Sequence, residues 1–308
     1  MKKFIILLSV VLGTFVTDSI LMSCSDDKPA DNQDESGELP GGGDLEIGGI
    51  KIPAEVLQKV QAIYSKASIE PQEVTTVHQL AILTSVCAAR QVEGPITVTA
   101  ATLNNEDITL VTLGGTEEKE GQATSMKESQ AAAFGKPNDY LKAVTKLFED
   151  NTIPQEKPVL VTGISLGGMI AQQLLGVPSI MEHHKLKGII TFGSPITLPV
   201  DRKDVKVVRF ADVHDKVPQL GESILRMGLI TGDQMTKKEL TQKLDELDAQ
   251  EKVARTSQYT GMIETHALSY ISDPCWNDVD FLGDVAKKNV LELKETMKFY
   301  PAPKSSEK

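Results

Sequence analysis

Val159-Leu160-Val161-Thr162 runs without a break into Gly163-Ile164-Ser165-Leu166-Gly167, and then into Gly168-Met169-Ile170-Ala171-Gln172-Gln173-Leu174-Leu175. The first four residues are an apolar, strand-type run and the last stretch is of helical type, so the segment predicts a buried strand turning sharply into a helix. Glycine at both ends of the central pentapeptide lets strand and helix approach closely. A serine between them sits on a strained turn that lifts its hydroxyl above the edge of a sheet. That turn belongs to layered α/β folds.

The rest of the chain alternates as such a fold requires. Apolar residues recur at helical spacing over 53–69 (Val56, Leu57, Val60, Ile63, Tyr64) and over 75–92 (Val77, Leu80, Ala81, Leu83, Val86). Two strand-type runs follow, Ile96–Leu103 and 108–113, with Asn104-Asn105-Glu106-Asp107 between them as a hairpin turn. A helix is expected over 138–150, and further strands over 188–192 and 205–210. The reading is α/β: a mostly parallel central sheet flanked by helices. With no internal repeat or break in composition, residues 47–303 read as one domain. Residues 236–256 are dense in charge, with Leu240, Leu244 and Leu247 three and four apart. They read as a surface helix that covers the body with one thin apolar stripe, in preference to a lid.

The N-terminus has another character. Lys2 and Lys3 precede an apolar run over 4–16, shorter than the ~20 residues that span a bilayer, which reads as a secretory signal. Leu21-Met22-Ser23-Cys24 resembles the bacterial lipobox, with Met22 where a small or hydroxyl residue is commoner. The resemblance implies removal of residues 1–23, a lipid on Cys24, and a place in the cell envelope at the outer membrane. Residues 24–46, acidic and containing Gly41-Gly42-Gly43, read as a flexible tether. A formal net charge of -11 argues against a nucleic-acid partner and against electrostatic docking on anionic bilayers. Membrane contact is therefore expected through the lipid alone. Besides Cys24, only Cys87 and Cys275 remain, either as one disulfide or as buried thiols. No Cys/His spacing of metal-site type is present, and neither a metal nor an organic cofactor is expected.

A serine hydroxyl becomes a nucleophile when a histidine takes its proton and a carboxylate orients that histidine. In folds with this turn the chain order is Ser, acid, His, which filters the five histidines. His78 precedes Ser165. His183 and His184 end the helix after the turn, where a cation suits the helix dipole. His214 sits beside the best acids. His266 remains as the base. For the acid, Asp212 and Asp215 both follow the strand over 205–210, at the sheet edge where α/β sites assemble, and spacing alone leaves both open.

Across residues 98–270 the segments resemble class 3 lipases, the fungal-type family of the α/β-hydrolase superfamily. Val161-Thr162-Gly163-Ile164-Ser165-Leu166-Gly167-Gly168 is similar to the family's V-T-G-H-S-L-G-G. Ile190-Thr191-Phe192-Gly193-Ser194-Pro195 looks like its following strand and turn, and Asp215-Lys216-Val217-Pro218 like its D-x-V-P. Leu110-Val111-Thr112-Leu113-Gly114-Gly115-Thr116 resembles its A-F-R-G-T/S. The resemblance implies an α/β-hydrolase fold and a triad of Ser165, Asp215 and His266. It also implies an oxyanion hole from the N–H groups of Thr116 and Leu166, and an ester or lipid substrate. Ile164 and Gly114 depart from the family's His and Arg. The expectation is a lipid-anchored esterase; the alternative is a catalytically idle hydrolase scaffold that binds at the cell surface.

Overall fold

The computed structural model describes residues 45–47, 50–90, 94–116, 123–133, 135–197, 204–219, 236–284 and 287–304. The expected signal segment, Cys24 and nearly all of the tether lie outside these residues, as does the Cys87 side chain.

Two short antiparallel strands, β1 (Leu45–Ile47) and β2 (Ile50–Ile52), come first. Pro53 then stands at the N-cap of α1 (Ala54–Tyr64) with φ at -59°. This helix ends earlier than its apolar spacing suggests. After Tyr64 the amides of Lys66 and Ala67 bond three residues back, to Ile63 and Tyr64, and the Ser65 hydroxyl takes the Ala62 carbonyl. The turn thereby tightens and stops. β3 (Glu73–Val74) and α2 (Val77–Arg90) follow.

Next comes the hairpin of β4 (Ile96–Leu103) and β5 (Glu106–Leu113), in register from Ile96 opposite Leu113 to Leu103 opposite Glu106. Its turn is two residues rather than the expected four. Asn104 and Asn105 both adopt positive φ, at 52° and 67°. Asparagine tolerates that conformation, and the resulting turn twists with the strands, so Glu106 and Asp107 join the ladder.

α3 (Met126–Ala133) and α4 (Asp139–Glu149) lead to the central strand. Asn138 caps α4 by accepting the Leu141 N–H at 2.7 Å. Then come β6 (Val159–Ile164), α5 (Leu166–Gln173), α6 (Pro178–His183), β7 (Leu186–Phe192) and β8 (Lys206–Asp212). α7 (Lys237–Glu251), β9 (Lys252–Arg255), α8 (Met262–Ser272), β10 (Leu291–Leu293) and β11 (Lys298–Tyr300) complete the described elements.

One sheet contains all strands but the first two, in the order β3-β10-β4-β5-β6-β7-β8-β9, with β11 also pairing β4. From β5 to β9 every pairing is parallel. Alternate side chains on each strand feed two cores. Leu160, Ile190, Phe192, Val208 and Phe210 face the layer of α1, α2 and α8. Val159, Val161, Ile189 and Val207 face the layer of α3, α4, α5 and α6. A strand buried on both faces reads as a continuous apolar run, which is why β6 and β7 are visible in the sequence.

The expected helix over 236–256 divides in two. α7 stops at Glu251, and the next four residues turn into β9, which extends the sheet beside β8. The apolar stripe runs out at Leu247, and the Val213 N–H donates to the Arg255 carbonyl at 2.9 Å, so these last residues gain more from the sheet edge. α7 covers the body. Leu240 and Leu244 are buried against Ile196, and Asp248 meets the fully buried Arg209 of β8 at 3.0 Å and Lys252 at 3.1 Å. Among the described residues no helix is long and apolar enough to cross a membrane.

Candidate active site

The turn after β6 is built by steric exclusion. Ser165 takes φ 53° and ψ -118°, a region costing about 1–3 kcal/mol for a side-chain-bearing residue. Its neighbours compensate. The Ser165 N–H donates to the Phe192 carbonyl at the end of β7, at 2.9 Å, and the Ser165 carbonyl accepts the Gly168 and Met169 N–H groups in the first turn of α5. A methyl group on Gly163 would overlap the Gly167 backbone, and one on Gly167 would overlap the Leu113 and Gly114 carbonyls. Both glycines are thus required by close backbone approach. A Cβ on Gly168 would lie 2.6 Å from Ser194.

The loop after β5 passes directly beside this turn. A Cβ on Gly115 would stand 3.4 Å from the Ser165 Cβ. Thr116 is buried there, and its hydroxyl pairs with Ser129 of α3 at 2.7 Å. Ser129 also donates to the Ser125 carbonyl, so Thr116 is fastened by its side chain. Leu166 is the first residue of α5, a position whose N–H has no acceptor within the helix.

On the other side of β7 stand the candidate acid and base. His266, on α8, places Nδ1 2.8 Å from Asp215 Oδ2, with both side chains buried. The same oxygen accepts the Tyr270 hydroxyl at 2.8 Å, and Oδ1 accepts the Val217 N–H at 2.9 Å. Gly193, at φ 56°, joins the two halves. A Cβ there would lie 3.0 Å from His266 Cε1 and 3.0 Å from Asp215 Oδ2. Phe192 therefore holds the serine turn through its carbonyl, while the next residue packs on the imidazole.

Asp212 has other work. It accepts the Ser269 hydroxyl on Oδ2 and the His214 N–H at 2.9 Å on Oδ1, while the Asp212 N–H donates to the Tyr270 hydroxyl at 3.1 Å. It braces the turn that presents Asp215. The remaining histidines are occupied elsewhere. His78 Nδ1 lies 3.0 Å from the Tyr270 carbonyl, and His214 Nδ1 lies 2.9 Å from the Tyr259 carbonyl. His183 and His184 end α6, a separate short helix that Pro178 opens, rather than the helix after the serine turn. His184 is buried edge-on against Phe148 with ring centroids 4.8 Å apart. Desolvation lowers its pKa, so a cation at the helix end is disfavoured there.

Tyr270 is the residue that sequence reasoning missed. It is fully buried, and desolvation together with the charge of Asp215 pushes its phenol well above the ordinary value, so it stays protonated. Its ring stacks on Trp276 with centroids 5.6 Å apart and lies 6.4 Å from Phe192. The available signal was its spacing from His266, four residues on the same helix face. Cys275 carries a free thiol that burial pushes above its usual pKa. Among the described residues no cluster of three His, Cys, Asp or Glu side chains is able to hold a metal ion.

A sheet that is parallel from β5 to β9, a serine on a strained strand-to-helix turn, and a histidine–aspartate pair at the same sheet edge form one arrangement. This is the α/β-hydrolase fold. A family model described as a PGAP1-like alpha/beta domain matches residues 133–263, under half of the chain. That stretch runs from the end of α3 into the start of α8, taking in Ser165 and Asp215 and stopping short of His266. The match agrees with a hydrolase-type α/β domain, while the resemblance to class 3 lipases rests on residue motifs alone. No curated protein and no solved structure matches the chain.

Proposed function

We propose that this α/β-hydrolase domain cleaves carboxylic esters through Ser165, His266 and Asp215. The observation that carries the reading is the Asp215–His266 hydrogen bond of 2.8 Å, made beside the strand end that holds the Ser165 turn. Ser165 Oγ bonds to the acyl carbon as His266 takes its proton, and Asp215 fixes the imidazole orientation and stabilises the imidazolium. Collapse of the tetrahedral adduct breaks the bond to the alcohol oxygen, which leaves with the proton from His266. Water then adds, gives its proton to His266, and releases the acid while the proton returns to Ser165.

The N–H groups of Thr116 and Leu166 would receive the oxyanion. The closeness of Gly115 to Ser165 and the place of Leu166 at the head of α5 support this role. Such a donor contributes roughly 10²–10³-fold to turnover.

Fluorophosphonate labelling tests the reading. The wild type should label, and Ser165→Ala and His266→Ala should not; esterase turnover should fall about 10⁶-fold in Ser165→Ala. A folded wild type that fails to label would sink the enzyme reading and leave the surface-binding scaffold. We also propose that Cys24 carries a lipid anchor, on the strength of Leu21-Met22-Ser23-Cys24. Wild-type chain expressed in a Gram-negative host should partition into detergent and Cys24→Ala should not. Equal partitioning of the two would refute the anchor.

A further inference from the structure

α8 supplies more to this site than its histidine. Its residues His266, Ser269 and Tyr270 all reach the turn between Asp212 and Val217: His266 and Tyr270 meet Asp215, and Ser269 meets Asp212. Tyr270 has the central place. Its hydroxyl accepts the Asp212 N–H at 3.1 Å and donates its one proton to Asp215 Oδ2, the same oxygen that binds His266.

We propose that Tyr270 is a positioning residue that, through Asp215, sets both the orientation and the proton affinity of His266. The inference rests on the triad proposed above. Donation to a carboxylate draws charge from the acceptor oxygen. With the phenol present, Asp215 holds an imidazolium less tightly than it would alone. The donor is also fixed in direction, because the buried Tyr270 ring stacks on Trp276 and packs near Phe192. Among the described residues, the hydroxyl and that oxygen contact the ionisable side chains of Asp215 and His266, and the charge of Asp212 also acts on the phenol. Asp212 bonds the hydroxyl through its backbone N–H, and His78 meets the Tyr270 carbonyl.

The test is Tyr270→Phe, which keeps the ring and removes the hydroxyl. NMR of the His266 ring across pH reads the effect without any turnover. We expect the pH at which the ring titrates to rise, because an Asp215 carboxylate relieved of that donor attracts the imidazolium more strongly. The acid limb of the esterase pH–rate profile should rise with it. A merely structural role would lower the active fraction and leave both midpoints in place, and that result overturns the proposal. If Tyr270→Phe does not fold, 3-fluorotyrosine at position 270 decides. It keeps the hydroxyl and donates more strongly, so the midpoint should fall; an unchanged or raised midpoint overturns the proposal. An inert wild type whose His266 midpoint still moves would refute the esterase reading and leave the Tyr270 coupling standing.

Discussion

The two halves of the site are held by different physics. The serine half, residues 163–168, is a matter of backbone sterics: two glycines permit contacts that no side chain would survive, and the strained Ser165 is locked by main-chain hydrogen bonds. The acid–base half is a matter of side-chain hydrogen bonds among residues some fifty positions apart, Asp215 with His266 and Tyr270, and Asp212 with Ser269. The first half should therefore fail through its fold when one methyl group is added. The second should fail through its chemistry when one oxygen becomes nitrogen, with the fold intact.

Among variants that leave Ser165 in place, the largest effect is expected in the second half. Asp215→Asn preserves shape but offers His266 the wrong hydrogen-bonding partner, and ester turnover should drop about 10⁴-fold. Asp212→Asn should lower turnover by less than about tenfold, because the amide keeps one of that carboxylate's two hydrogen bonds and loses one worth about 1 kcal/mol. Steady-state kinetics on both variants measures the contrast; equal losses would erase the distinction between the two acids.

Gly167→Ala comes next. The added methyl group must displace the Leu113 and Gly114 carbonyls, an overpacking cost of about 3 kcal/mol. Urea unfolding should register it as a lower midpoint. A Gly167→Ala protein of wild-type stability would show that the serine turn is less constrained than its contacts indicate.

The smallest effect separates stability from catalysis as pH falls. His184 is buried with its pKa lowered from 6.5, so below about that pH the unfolded chain takes up a proton that the folded one refuses. Its contribution is complete above pH 6.5 and is lost as pH falls toward the folded value. His184→Gln should flatten the acid decline of the urea midpoint while the acid limb of the rate profile stays in place. Movement of that limb would mean that His184 and the site are coupled.

This contrast also explains what the sequence makes legible. The serine turn is readable because its determinants are contiguous: an apolar strand, Gly163, Ser165, Gly167 and a helix. His266 is reached by chain order, and Asp215 is separated from Asp212 only by resemblance, because both carboxylates follow β8 and their difference lies in which side chains of α8 they meet. Tyr270 is invisible for the same reason: its role exists only once residues 212–217 lie against α8. β9, β10 and β11 escape notice because strands of three or four residues carry too little alternation to register, and Lys252 and Arg255 make β9 look like the tail of a charged helix.

That charged strand has a consequence of its own. A sheet with free borders invites strands from other molecules, and long, flat, apolar borders invite them most. Here one border is formed by β3 and β11, two and three residues long. The other is β9, where Lys252 and Arg255 stand at the two ends of a four-residue strand and Arg255 bonds Asp278. Among the described residues these borders are short, and β9 carries charge at both ends, so they are poor templates for a second copy of the chain.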